Sequence, residues 1–84
     1  MILKMCAIYD RIGMAYSAPQ FVVSYGSAIR SFGDEIRNQR ENNPLNVHPD
    51  DFDLYSLGEY NDELGSFDVH PPKQIASGRD YSVK

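Results

Sequence analysis

Tryptophan is absent, and cysteine occurs once, at Cys6. Small domains of oxidising compartments usually carry paired cysteines, and one thiol cannot close a bridge within a chain. The sequence therefore predicts a reducing compartment, with Cys6 as a small buried hydrophobe. Long apolar runs are missing too. The opening residues MILKMCAIYD are apolar but stop at Asp10 and Arg11. That is too short for a signal segment ending at a small-residue cleavage site, and far short of the ~20 apolar residues of a spanning helix. No membrane association is expected. Nor is there a glycine-rich phosphate loop, since Gly58 and Gly65 fall in a strand and a turn. His48, His70 and Cys6, with Asp50 or Asp51, lack the ligand spacing that a turn or strand imposes on a metal site. The sequence thus predicts no metal, no cofactor and no catalytic residues. Asp50-Asp51 is expected to tie down a loop ahead of a strand. The protein is expected to act by binding, not catalysis.

An excess of basic charge is lacking as well. The 84 residues carry 8 bases and 12 acids, a net charge of −4. Residues 1–49 are nearly balanced, with Lys4, Arg11, Arg30, Arg37 and Arg40 against Asp10, Asp34, Glu35 and Glu41. Residues 50–68 hold Asp50, Asp51, Asp53, Glu59, Asp62, Glu63 and Asp68 without a base. Lys73, Arg79 and Lys84 outweigh Asp80 in the remainder. A phosphate-binding footprint needs clustered bases, so a nucleic-acid surface is expected to avoid residues 50–68. Read blandly, that stretch is a solvated hairpin that keeps the protein soluble.

What is present is an ordinary globular composition, 42% hydrophobic and 24% charged, with six Tyr and four Phe. Residues 2–9, ILKMCAIY, form an apolar run broken only by Lys4, which predicts a strand buried on both faces. Met14 to Ser17 can return as a short second strand before Pro19, and Phe21-Val22-Val23 anchors the entry to a helix. Ser24 or Ser27 caps that helix. Tyr25, Ile29, Phe32 and Ile36 recur at steps of four, three and four, on one stripe. Ala28 and Gly33 flank it and permit close approach. Arg30–Asp34 and Arg37–Glu41 are spaced as surface pairs. Asn42-Asn43-Pro44 is expected to close the helix. After a loop over 45–51, Phe52 to Tyr60 reads as a strand, 61–65 as a hairpin loop with Gly65 at positive φ, and Ser66 to Val69 as the return. His70-Pro71-Pro72 is expected to end it.

The predicted fold is α+β, one main helix on a three- to four-stranded antiparallel or mixed sheet in the order β(β)αββ. A single domain over 1–72 is followed by a partly ordered tail over 73–84. On strand 52–60, Phe52, Leu54 and Tyr60 are expected on one face and Tyr55 and Leu57 on the other. One helix covers one face, so self-association is expected to cover the second.

Several words in this chain resemble the small non-structural protein of the gokushovirus-like microviruses, single-stranded-DNA bacteriophages. They are Ala7-Ile8-Tyr9-Asp10, Ala28-Ile29-Arg30-Ser31-Phe32, His48-Pro49-Asp50-Asp51-Phe52-Asp53-Leu54-Tyr55, Leu57-Gly58-Glu59-Tyr60 and Gly65-Ser66-Phe67. The block from His48 to Tyr60 is the most specific. The resemblance implies a DNA-binding regulatory protein of the host cell cytoplasm, acting in the switch from duplex replication to single-stranded genome synthesis. It supplies no catalytic residue.

Within that expectation Arg30, Arg37 and Arg40 are the candidate nucleic-acid contacts, helped by tyrosines that can stack on bases. Binding to single-stranded DNA is expected to be weak and salt-dependent. The alternative is a protein–protein adaptor, in which Asp53, Glu59, Asp62, Glu63 and Asp68 on the acidic hairpin engage a basic replication or packaging protein of phage or host.

Overall fold

The computed structural model describes residues 1–82. Strand β1 (Ile2–Asp10) is followed by β2 (Ala15–Tyr16), β3 (Gln20–Val22), helix α1 (Tyr25–Arg37), a single-turn helix α2 (Pro44–Val47), β4 (Phe52–Asn61) and β5 (Ser66–Ser77). Short 3-10 turns precede β4 (Pro49–Asp51) and follow β5 (Gly78–Tyr81). The fold is α+β, and every strand pair is antiparallel. β1 pairs along its length with β4, and β4 with β5; the other edge of β1 is shared between β2 and β3. The short strand expected between Met14 and Ser17 is thus present, and the Phe21 anchor adds a strand of its own.

Helix α1 packs on one face of the sheet. Ser24 caps it, its hydroxyl accepting from the Ser27 N–H at 3.1 Å. Ala28, Phe32, Gly33 and Ile36 are buried, with Tyr25 and Ile29 half-buried beside them. Their partners are Cys6 on β1 and Leu54 on β4, flanked by Ile8, Val22, Phe52, Ile75 and Tyr81. The predicted stripe is correct, shifted slightly toward the small residues.

The helix ends at Arg37, earlier than Asn42-Asn43-Pro44 suggests. Asparagine amides take over its last carbonyls. The fully buried Asn43 donates to the Glu35 and Asn38 carbonyls at 3.0 and 2.8 Å, and Asn46 donates to that of Ile36 at 2.9 Å. Asn42 turns the chain at φ 61°. Capping by side chains stops the helix while satisfying its free acceptors. The stretch 45–51 is accordingly not a loop: α2 and the 3-10 turn fill it. It is tied to the sheet by the Asp51 carbonyl, which accepts from the Arg11 N–H at 2.9 Å. The tie is made by backbone, not by an acidic side chain.

Two further corrections concern β5. The prolines do not end it. Ser56 pairs with Lys73 and Gly58 with Val69, so His70-Pro71-Pro72 bulges out opposite Leu57 and the ladder resumes to Ser77. Proline is tolerated where no ladder bond is required of it. Of the residues expected as a partly ordered tail, 73 to 77 continue β5 and 78 to 81 form a 3-10 turn. Tyr81 returns to the helix, where its ring lies edge-on to Phe32 at 6.2 Å. It fits because residue 33 is glycine: a Cβ there would sit 2.8 Å from the ring. Lys84, named with the tail bases, lies outside the described residues.

Gly58 is constrained in two ways at once, by its φ and by the backbone beside it. It sits at φ 142°, and a Cβ would fall 2.2 Å from the Asp68 carbonyl oxygen. Gly58→Ala is expected to lower stability by about 2–4 kcal/mol, measured by urea denaturation. Cys6 is buried at 2% exposure, and burial pushes its thiol up from the ordinary range. Iodoacetamide at about pH 8 is expected to leave Cys6 intact in the folded protein and to alkylate it in urea, as read by mass spectrometry.

Candidate functional site: the aromatic face of the sheet

The register sorts the side chains of the sheet onto two faces. Cα partners across antiparallel strands share a face, and residues two apart in one strand share it too. On β1, Cys6 and Ile8 face the helix, so Leu3, Met5, Ala7 and Tyr9 face away from it. Their partners are Tyr60 opposite Leu3, Phe21 opposite Met5, Tyr55 opposite Ala7 and Tyr16 opposite Tyr9. Phe67 is opposite Tyr60. Six of the ten aromatic rings thus lie on the face that the helix does not cover.

They form two clusters. Tyr9, Tyr16 and Tyr55 pack with ring centroids 4.6, 5.9 and 5.4 Å apart. Phe21, Tyr60 and Phe67 lie 5.6, 6.4 and 4.7 Å apart. Tilted and edge-on contacts of this kind hold aromatic groups in place beyond the area they bury. Met5 and Ala7, flanked by these rings, are buried, whereas Tyr16, Phe21 and Phe67 remain 44%, 46% and 61% exposed. The second face, expected to need a further subunit, is thus partly covered by the chain's own rings.

Tyr60 is the residue the sequence misplaced. Met5 pairs with Gly58 and Cys6 with Ser56, which leaves Leu57 unmatched on β1. The extra residue reverses the alternation, so Tyr60 shares a face with Tyr55 and not with Leu54. A glycine inside a strand was the available signal for such a bulge.

The acidic residues are sorted by the same register. Glu59 is opposite both Lys4 and Asp68, on the helix side. The Lys4 ammonium pairs with Glu59, which raises its pKa, and lies over the Tyr25 ring at 5.6 Å. Asp62 and Glu63, in the turn, accept from the amino group of Met1 at 2.6 and 3.1 Å. Only Asp53 joins the aromatic side, and there Arg11 grips it at 2.9 and 3.0 Å. Its side chain is 5% exposed, that of Arg11 42%. Burial, and then the charge of Asp53, pushes the nearby Tyr55 phenol up. Of the five acids proposed to engage a partner, four are held by groups of the same chain. Residues 50–68 are not one acidic surface: carboxylates and rings alternate to opposite sides.

The helix arginines lie on the other side of the molecule from the rings. Arg37 donates to the Tyr81 carbonyl at 3.3 Å and covers its ring at 5.5 Å. Arg40 pairs with Glu35, and its pKa rises in consequence. Arg30 is exposed on α1. The structure does not bring the three together with the tyrosines. His48, Asp50, Asp51 and Arg79 line a separate shallow groove of about 430 Å³. His70 stands at the β5 bulge, its Nε2 3.3 Å from the Ser56 hydroxyl. His48 lies in that groove, whereas Cys6 and His70 both neighbour Ser56 on β4. Among the described residues no three His, Cys, Asp or Glu side chains gather as metal ligands, and no helix is long and apolar enough to cross a membrane.

The family model described as Phage ORF5 protein matches residues 3–81. The chain belongs to the phage ORF5 protein family. The match takes in every strand, the helix and the closing Tyr81. A search of curated proteins and a search of solved structures find no match.

Asp53→Asn is expected to cost this phage protein about 1–3 kcal/mol in urea denaturation, because a buried charge-assisted fork is lost. The near-ultraviolet tyrosine signal should change with it, since Asp53 and Arg11 border the tyrosine cluster.

Proposed function

We propose that this protein binds single-stranded DNA through the aromatic face of its sheet. In that role it serves as a non-structural regulatory protein in the host cell cytoplasm, in the switch from duplex replication to single-stranded genome synthesis. It is a binding protein and not an enzyme. The observation that supports this reading is a sheet face carrying two ring clusters and no unneutralised carboxylate, on a chain whose net charge is −4. Bases in a single strand expose their π-faces to such rings, whereas bases in a duplex do not. Stacking contributes about 1–3 kcal/mol per base and tolerates any sequence.

This moves the contact from the arginines to the rings. Arg30, the most available of the three, lies on the helix side, away from the rings; Arg37 and Arg40 are engaged by Tyr81 and Glu35. The adaptor reading is less favoured, because Asp53, Glu59, Asp62 and Glu63 are already engaged.

The test is fluorescence anisotropy with labelled oligonucleotides. Single strands are expected to bind and the matching duplex to bind at least tenfold more weakly. Removing Tyr16 and Phe67 together should weaken binding by more than about 25-fold, from two lost stacking partners. The triple variant R30A/R37A/R40A is expected to stay within about threefold of the parent, with an unchanged salt slope. No binding in low salt would refute the role. A large loss in the arginine variant alone would return the contact to the helix.

A further inference from the structure

The aromatic face carries one more exposed apolar side chain. Val69 is opposite Gly58, and Gly58 is opposite Met5, so Val69 lies on this face beside Phe67, and it is 69% exposed. With Phe21 and Phe67 it makes an exposed apolar patch toward one end of the face. The two ends differ in charge. Beyond the Phe67 end, in the turn, Asp62 and Glu63 share the single ammonium of Met1, which leaves one negative charge uncompensated, and the Glu63 side chain is 80% exposed. At the tyrosine end stands Arg11. Asp53 takes its Nε and one Nη, and the second Nη still has hydrogens to donate. Asp10, next to it, faces the helix side and accepts from the Ile12 N–H at 3.0 Å. Two copies can meet through this face about a two-fold axis that lies in the interface, either along the strands or across them. An axis along the strands sets like end on like end, and the two acidic turns repel. An axis across the strands exchanges the ends. It lays the phenyl end on the tyrosine end and sets each acidic turn against the partner's Arg11. A polyanion gains nothing from the acidic turn, whereas a second copy is matched at both ends.

We infer that a second copy of this chain covers the aromatic face, the two copies related by an axis across the strands, and that this pairing withholds the rings until a single strand displaces it. The displacement rests on the single-strand reading above; the pairing does not. The face is as long as the nine residues of β1 and four strands wide. At about 3.3 Å per residue and about 4.8 Å between strands it measures about 26 Å by about 14 Å, roughly 400 Å². A standard interface takes about 800 Å² from each partner. The pairing is therefore weak, with a dissociation constant on the order of tens of micromolar, in the range of transient encounters. A weak dimer is one that a competing ligand can open, because the ligand has little association energy to overcome.

Sedimentation equilibrium of the full chain tests the pairing, and monomer and dimer are expected to exchange at tens of micromolar. Phe67→Ala should weaken the dimer at least tenfold, roughly the effect of removing a buried aromatic anchor. Glu63→Lys should weaken it about fivefold, because the match with Arg11 becomes a repulsion. Had like ends met, the same change would tighten it. Both side chains are exposed, and circular dichroism checks that folding is retained. The axis is read separately by cross-linking. Ile12 and Leu64 are exposed in the turns at opposite ends of the sheet. A mixture of Ile12→Cys and Leu64→Cys is expected to be joined by a short bis-maleimide more readily than either variant alone, with Cys6 buried and unreactive. A monomer at high micromolar concentration, a Glu63→Lys dimer unchanged or tighter, or links mainly between like ends overturns the pairing and leaves the single-strand reading to its own assay. A thymidine oligomer of about six nucleotides is then added to the dimer. The expected product is one protomer bound to one strand. A dimer that persists at saturating oligomer overturns the displacement. A dimer to which no oligomer binds in low salt leaves the pairing standing and defeats the single-strand reading.

Discussion

Between Ser56 and Gly58, β4 carries one residue more than β1 has partners for. The surplus residue, Leu57, reverses the alternation of everything beyond it. Before the bulge, Leu54 points to the helix and Tyr55 away from it. After it, Glu59 points to the helix and Tyr60 away. Without that step Tyr60 would press into the core beside Lys4, and Glu59 would stand among the rings. Gly58 makes the reversal possible, because no side chain can occupy its φ or the space against β5. The separation of rings from carboxylates is thus a consequence of one bulge, not of many independent placements.

The helix side is closed by a different means. A chain of this size has little apolar surface to bury, and the core here leans on polar groups to finish it. Asn43 and Asn46 take the final carbonyls of α1, and Tyr81 fills the gap left by Gly33 under the cover of Arg37. Arg37, which the sequence offers to Glu41 or to a phosphate, is part of the lid on the core. Electrostatics and packing are coupled in the same way at Arg11, which neutralises Asp53 and fixes the end of the tyrosine cluster.

Periodicity made the helix stripe legible, a continuous apolar run marked β1, apolar and aromatic residues marked β4 as a strand without revealing the bulge inside it, and glycine marked the turn at 65. Legibility failed where a repeat was interrupted. The prolines at 71 and 72 mimic a strand end, since nothing local distinguishes a terminus from a bulge that the partner strand accommodates. Asn43 looked like a simple cap; its reach back to Glu35 depends on a turn at Asn42 that only the folded chain defines. The arginines were grouped by helical spacing, which cannot reveal that Tyr81 and Glu35 occupy two of them. Of the aromatic site, Tyr55 was visible as an outward ring, but its ring neighbours Tyr9 and Tyr16 come from two other strands whose register is set by long-range pairing. The acidity of 50–68 was correctly counted and wrongly treated as a single surface.

The bulge at His70-Pro71-Pro72 has a bearing on how copies of this protein meet in a crowded cell. β5 is the outer strand of the sheet and twelve residues long. An outer strand of that length offers a row of unused backbone donors and acceptors, on which another extended chain can build. Two prolines and an outward kink divide the row into a run of four residues, Ser66 to Val69, and one of five, Lys73 to Ser77. Each run is less than half of the strand, and the kink keeps the two from acting together. The same three residues that disguise the strand in the sequence therefore guard its edge against aggregation.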